Sequence, residues 1–286
     1  MIDVFDENRR LLFSVAYRMT GSVADAEDIV QDAWLRWSAV EAAAVEQPKA
    51  YLVKTVTNLA LNQLTSARAR RESYVGPWLP EPLLTSPDTA EEVEMAESVS
   101  MAMLVVLETL SPLERAVFLL REVFGYDHAE IAEMLGREES AVRQLAHRAR
   151  EHVRARRPRY DADPATRAQV VERFRAACAG GDLAEVMAVL APDVTVWSDG
   201  GGIVSAARRP VVGADHVGRW IVGVLGKVEG QEFTARLAEI NGELGVLFVL
   251  GGVPIGTVSL EVDGDRIAAL RIVINPEKMR GVTGQG

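Results

Sequence analysis

Residues 127–159 read DHAEIAEMLGREESAVRQLAHRAREHVRARRPR, and the fold is decided there. At ~100° per residue, Val142, Leu145, Ala146 and Ala149 share one face of a helix over 139–151. Ser140, Arg143, Gln144, His147 and Glu151 fall on the other. A shorter helix over 127–135 precedes it, and Gly136 between them tolerates a left-handed turn. Short helix, glycine turn and a second helix exposing Ser, Arg and Gln predict a helix-turn-helix. The planar ends of Arg143 and Gln144 can make paired hydrogen bonds to guanine and adenine edges in the major groove. Ser140 and His147 flank them, and Arg148, Arg150, Arg154, Arg156, Arg157 and Arg159 offer charge to phosphates. A solvated amphipathic hairpin would share this periodicity, but the residue types on the polar face favour DNA.

A chain of 286 residues predicts two or three compact units. It contains no apolar run of ~18 residues and no charged-then-apolar start, so a cytoplasmic protein is expected, without membrane insertion. The single cysteine, Cys178, excludes an internal disulfide and suits a reducing compartment; its small apolar neighbours suggest packing rather than thiol chemistry. The net charge of −10 argues against DNA binding until it is located. Between Glu72 and Glu114 there is no Lys or Arg, while Glu81, Asp88, Glu91, Glu92, Glu94, Glu97 and Glu108 accumulate. The acidity sits in a connector beside a basic reader, an arrangement that invites self-masking.

Residues 3–70 read as helices. RRLLFSVAYRMTG (9–21) spaces Leu11, Leu12, Val15, Ala16 and Met19 helically and stops at Gly21. Ser22 caps the next helix, whose apolar face carries Ala26, Ile29, Ala33 and Trp37, with Val30 and Trp34 at its edge. Asp25, Asp28 and Asp32 cluster beside that face. Pro48 restarts the chain into a helix with a basic end. Five residues of 72–90 (Gly76, Pro77, Pro80, Pro82 and Pro87) mark a linker, after which helical pattern resumes from Thr89 to about Leu110. Ser111-Pro112 opens a further helix. Beyond Pro164 come two short helices, a strand VTVWS, the glycines 200–202, a helix over 213–225 and four β-type runs. That order predicts an α+β cone: a curved antiparallel sheet wrapped on helices around an interior pocket. The domain expectation is 1–71, a linker 72–94, 95–160 and 164–286.

ADAEDIVQDAWLRW (24–37) resembles the second conserved region of sigma-70-family factors, residues 48–71 the adjoining region that melts and reads the −10 promoter element, and residues 111–150 the fourth region, which reads the −35 element. With no long insert between them, the chain resembles an extracytoplasmic-function sigma factor. WLPEPL (78–83), DGGG (199–202) and NPEKM (275–279) resemble the signatures of the sigma-J-like subgroup, which carries a fused SnoaL-like C-terminal domain. Two departures are visible: a DGGGK-type motif ends here in Ile203, which removes a cation, and an NPDKL-type motif becomes NPEKM.

The resemblance implies no catalytic residue, metal or cofactor. RNA polymerase core and promoter DNA are the implied partners, with an unidentified small ligand for the cone. Asp28, Gln31 and Asp32 match the face expected to dock on the polymerase, through charge complementarity. Melting requires unstacked bases to be caught and the strand to be held by cations. Lys49, Tyr51, Lys54 and Asn58 with Arg68, Arg70 and Arg71 are the candidates, alongside Ser140, Arg143, Gln144, His147 and Arg148 in the −35 reader. The regulatory contact is expected from Trp78, Leu79, Pro80, Glu81, Pro82 and Leu83 of the connector, the turn Asp199, Gly200, Gly201 and Gly202, and the tail Asn275, Pro276, Glu277, Lys278 and Met279. Two rival readings compete. One is a bifunctional protein whose cone is a cyclase- or isomerase-like enzyme, for which Asp199, Asp215 and His216 are the only nearby acid-base groups. The other is a plain helix-turn-helix repressor or activator, against which the acidic-tryptophan helix at 24–37 argues.

Overall fold

A computed structural model describes residues 2–40, 45–85, 99–156, 162–228 and 230–283, without the side chains of 2–3, 66–72 and 283. The chain forms two compact units. One comprises Met1–Ser73 with Met103–Arg157; the other comprises Tyr74–Ala102 with Pro158–Gly286. The connector residues 74–85 therefore cluster with the C-terminal unit.

In the first unit, α1 (Ile2–Thr20), α2 (Val23–Ser38) and α3 (Pro48–Glu72) pack on one another. Leu12, Val15, Ala16 and Met19 meet Ala26, Ile29, Ala33 and Trp37, and Leu52, Val53 and Val56 close the core. Ser22 caps α2 by accepting the Asp25 amide at 3.1 Å. Trp37 is fully buried with its ring 5.8 Å from that of Tyr51, while Trp34 meets Phe5 edge-on at 5.0 Å. Tyr51 is thus a packing residue of this core.

The helix-turn-helix follows α4 (Met101–Glu108) and α5 (Pro112–Phe118). The part of the expected helix that precedes residue 99 lies outside the described residues. Ser111 and Glu114 form a reciprocal capping box on α5. Helix α5 then widens into a π-helical turn, Leu119–Val123, before α6 (His128–Leu135) and α7 (Glu139–Arg156). Asp127 and Glu130 box the start of α6, and Gly136 ends it at φ 60°. Val142, Ala146, Ala149 and Val153 bury one face of α7 against α5 and α6.

In the second unit, α8 (Pro164–Gly180), α9 (Leu183–Val189) and α10 (Ala214–Leu225) cover one face of a six-stranded sheet. Its order is β2 (Val211–Val212), β1 (Leu190–Asp199), β6 (Arg266–Val273), β5 (Val253–Asp263), β4 (Glu243–Leu250), β3 (Phe233–Ile240). Every neighbouring pair is antiparallel except β1 and β6, which run parallel, a pairing that the long connection between them permits. Asn241 and Gly242, at φ 53° and 71°, make the two-residue turn between β3 and β4. Val194, Val196, Val246, Val258, Leu260, Leu270 and Ile272 face Val171, Phe174, Val217 and Ile221 across the core.

Cys178 lies in that core, 2% exposed, and burial pushes its thiol up to about 12. Thiolate is the reactive form. Folded protein is therefore expected to leave Cys178 unmodified by a thiol reagent at pH 8, whereas protein unfolded in denaturant titrates one thiol. Rapid labelling of the native protein would contradict this.

Candidate nucleic-acid interface and connector clasp

On α7, Ser140, Arg143, Gln144, His147 and Arg148 are exposed, all on the face away from Val142 and Ala149. Arg143 forks onto Glu139, with Nε at 3.1 Å and Nη2 at 2.5 Å from Oε1. Both side chains are in water, so the pair is worth under about 1 kcal/mol and does not lock the guanidinium in place. Arg148 Nε lies 3.3 Å from Glu114, and Arg150 Nε lies 3.8 Å from Glu122. The hydrogen bond from Ser111 holds the Glu114 carboxyl below its ordinary range despite some desolvation. These intramolecular carboxylates were not read from sequence, although Glu139 and Arg143 stand at the i,i+4 spacing that would find them. Arg156 ends α7, while Arg157 and Arg159 lie outside the described residues.

On α2, Asp28, Gln31 and Asp32 are exposed together, and Leu35 continues the same stripe at 58% exposure. Asp25 departs from the acidic group: it accepts a hydrogen bond from Gln63 of α3 at 2.8 Å. On α3, Lys54 and Asn58 are half-buried. The Asn58 amide donates to Lys54 O at 2.9 Å and to Met134 O of α6 at 3.3 Å. Arg68, Arg70 and Arg71 ride the last turns of α3, with side chains outside the described residues.

The three sequence signatures converge within the second unit. Asp199, at the end of β1, is fully buried. Its Oδ2 accepts from Lys278 Nζ at 2.7 Å and from the Leu79 amide at 2.8 Å; its Oδ1 accepts from Tyr74 Oη at 2.6 Å and from the Gly201 amide at 3.1 Å. Lys278 Nζ also donates to Leu79 O at 2.5 Å and lies 4.1 Å from the Trp78 ring centre and 5.0 Å from that of Tyr74. The cation is thus enclosed by a carboxylate, a carbonyl and two aromatic faces. Asn275 Nδ2 donates to Tyr74 Oη at 2.8 Å. Burial, then the hydrogen bond to the Asp199 carboxylate, raises the Tyr74 hydroxyl far above the ordinary phenol range, so it stays protonated and donating.

The glycines have steric reasons. A Cβ on Gly201, at φ 63°, would sit 2.4 Å from Asn275 Nδ2, and one on Gly200 would meet Val204 O at 2.7 Å. Gly202 is exposed and turns against Val75. Of the tail signature, Asn275, Lys278 and Met279 are buried while Pro276 and Glu277 face solvent; Glu277 and Lys278 amides close a turn on Asn275.

Downstream of Leu79 the connector keeps to the sheet. Pro80 and Pro82 are buried and Glu81 is half-buried. Leu83 O accepts the Asn241 amide at 2.8 Å, Leu84 bridges Ile240, and the Thr85 amide donates to Glu239 O at 2.9 Å. Thr85 Oγ1 adds a bond to Glu239 Oε1 at 2.7 Å. Residues 83–85 thereby cover the edge strand β3, satisfying groups that an open edge leaves unpaired.

The acid-base set considered for an enzymatic cone does not assemble. Asp199 is committed to Lys278 and Tyr74. Asp215 is exposed in the first turn of α10, paired with Arg219 at 2.9 Å, and exposed His216 lies 3.1 Å from Val212 O. Among the described residues no cluster of His, Cys, Asp or Glu could hold a metal ion, and no helix is long and apolar enough to cross a membrane.

Family models for Sigma-70 region 2 and Sigma-70, region 4 match residues 4–70 and 100–153. The chain is 43% identical over 293 residues to the ECF RNA polymerase sigma factor SigJ of Mycobacterium tuberculosis, covering 98% of this chain and 93% of the relative. It is 31% identical to the probable ECF sigma factor SigI of the same organism, covering 95% and 92%. The crystal structure of M. tuberculosis SigJ superposes with a TM-score of 0.78 at 39% identity, covering 98% of this chain and 99% of the other. The chain therefore belongs to the sigma-70 family, among its extracytoplasmic-function members.

Proposed function

We propose that this sigma factor reads the −10 and −35 promoter elements through α3 and α7, docks on RNA polymerase core through Asp28, Gln31 and Asp32, and is regulated by the grip of its own C-terminal cone on its connector. The observation that carries the regulatory part is Lys278, buried between Asp199 and the backbone of Leu79. A buried cation with its partners on a connector and on a separate sheet is a costly device unless the connector must be held. The consequence is mechanical. Fastening 74–85 to the cone takes those residues out of the adjustable tether that follows α3. Releasing the clasp lengthens the adjustable tether between α3 and α4, which lowers the effective concentration of each promoter reader about the other.

The test is transcription with purified polymerase core. Trp78→Ala, and a chain ending near Pro164, are expected to change promoter output while keeping −35 preference. Equal output from full-length, truncated and Trp78→Ala proteins would leave the cone without a regulatory part. For the −35 reader itself, Arg143→Ala is expected to cost about 1–3 kcal/mol at one promoter position and relax the preference there. Selection from a randomised −35 library reads this, and unaltered preference at every position would assign base reading to other residues.

A cavity beside the clasp gives a small ligand a place from which to act on it. Val75 and Gly76 of the connector line a cavity of about 330 Å³ with Gly200, Gly202, Ser198 and Arg208. A ligand seated there would press on the glycine turn and the connector together.

A further inference from the structure

The glycine turn that serves the clasp on one side walls a cavity on the other. Alternation along β1 places Ser198 with Val194 and Val196 on the helix-covered face of the sheet, and Asp199 on the opposite face. Of these two polar residues, only Ser198 lines the cavity of about 330 Å³ beside the connector. Its hydroxyl is buried and finds no hydrogen-bond partner among the described residues. Such a group lowers stability unless something seated in the cavity completes it. Arg208 is the one charged residue that lines the cavity; it is exposed and makes no ion pair among the described residues, and no carboxylate faces it there. Val75, Ile203 and Val204 line the same space while staying exposed, which gives it an apolar edge.

We propose that this cavity is a binding site for a small organic carboxylate with a short aliphatic body. Arg208 and the Ser198 hydroxyl hold the carboxylate, and Val75, Ile203 and Val204 take the aliphatic part. A volume near the lower end of the range for small-molecule sites restricts the ligand to a few carbons. A cation and a donor on one side, with apolar side chains on the other, select against both a neutral amide and a bare inorganic anion.

Part of the site belongs to the connector. Val75 and Gly76 line the cavity only while the connector lies on the cone, and Val75 packs so closely on the turn that a Cβ on Gly202 would sit 3.0 Å from its own. Tyr74, next in the chain, donates to Asp199 in the clasp. Gly200 and Gly202 line the cavity, while the Gly201 amide between them bonds Asp199. The carboxylate therefore binds the clasped form and stabilises it, and opening the clasp dismantles the site. Its effect on transcription rests on the reading of the clasp as regulatory; its binding rests on the cavity alone.

Calorimetric titration of the full-length protein with hexanoate, hexanamide and inorganic phosphate tests the ligand class. Hexanoate is expected to bind, and hexanamide and phosphate to bind at least about tenfold more weakly. Arg208→Gln, an exposed change, should weaken hexanoate roughly tenfold through the loss of a charge-assisted bond. Ser198→Ala should weaken hexanoate as well, yet leave the melting temperature unchanged or higher, because it removes a hydroxyl that folding leaves unpaired. A serine with a purely structural role would show the reverse. Hexanoate should also slow hydrogen exchange of the Leu79 amide, and Lys278→Met should weaken hexanoate in return. No hexanoate binding, equal binding of hexanamide or phosphate, indifference to both Arg208→Gln and Ser198→Ala, or bound hexanoate that leaves Leu79 exchange unchanged would overturn the proposal. Transcription that ignores the clasp would strike the regulatory reading instead, and the titrations would still judge the site.

Discussion

Lys278→Met is expected to free the connector from the cone. Removing one partner of a buried, hydrogen-bonded ion pair typically costs about 3–5 kcal/mol, because the other charge stays buried without compensation. Asp199 would keep Tyr74 and two backbone amides but lose the cation that faces its Oδ2. The cation's contact with the Trp78 and Tyr74 faces would go as well. Since the clasp residues are coupled, Asp199→Asn combined with Lys278→Met should be less damaging than the sum of the single changes. Hydrogen exchange reads this locally. The Leu79 and Thr85 amides, bonded to Asp199 Oδ2 and Glu239 O, should lose protection by a factor of 10² or more (order of magnitude), while the core of β5 and β6 exchanges as before. Unchanged protection at Leu79 would mean that Lys278 does not hold the connector.

Charge reversal on α2 is the second large effect. Asp28→Lys with Asp32→Lys places two cations where the proposed partner surface is basic, and like charges brought together across an interface cost several kcal/mol. Affinity for polymerase core should fall at least about tenfold, more steeply at low salt than at high. The fold should be untouched, because both carboxylates are exposed and contribute little to stability. Competition against wild-type protein for limiting core measures the loss, and circular dichroism checks the fold. Equal competition would place the docking surface elsewhere.

The α-helical parts were legible because their signals are local. Ser22, Ser111 and Gly136 cap or end the helices that the sequence pattern assigns them, and the apolar face of α7 is the one that is buried. The β-strands of the cone were legible from their alternation and from glycine turns. The parallel pairing of β1 with β6 was not, since nothing local distinguishes a parallel partner from an antiparallel one. The π-helical turn at Leu119–Val123 has no compositional mark. The three signatures pointed to a contact, but its geometry was invisible: Tyr74 lies outside all of them and still supplies the hydroxyl that joins Asp199 to Asn275. The strand-like pairing of 83–85 is too short to carry a period. The cation missing at Ile203 leaves no gap in the clasp, for Lys278 neutralises Asp199 from the tail; Ile203 itself is 56% exposed.

The most direct test of the regulatory account is reconstituted transcription with purified polymerase core, a promoter library and equal folded concentrations of wild-type and Lys278→Met protein. A freed connector is expected to change output across the promoters the protein recognises, with the order of −35 preference preserved. Output equal to wild type, with the connector demonstrably released by hydrogen exchange, would contradict control through the clasp.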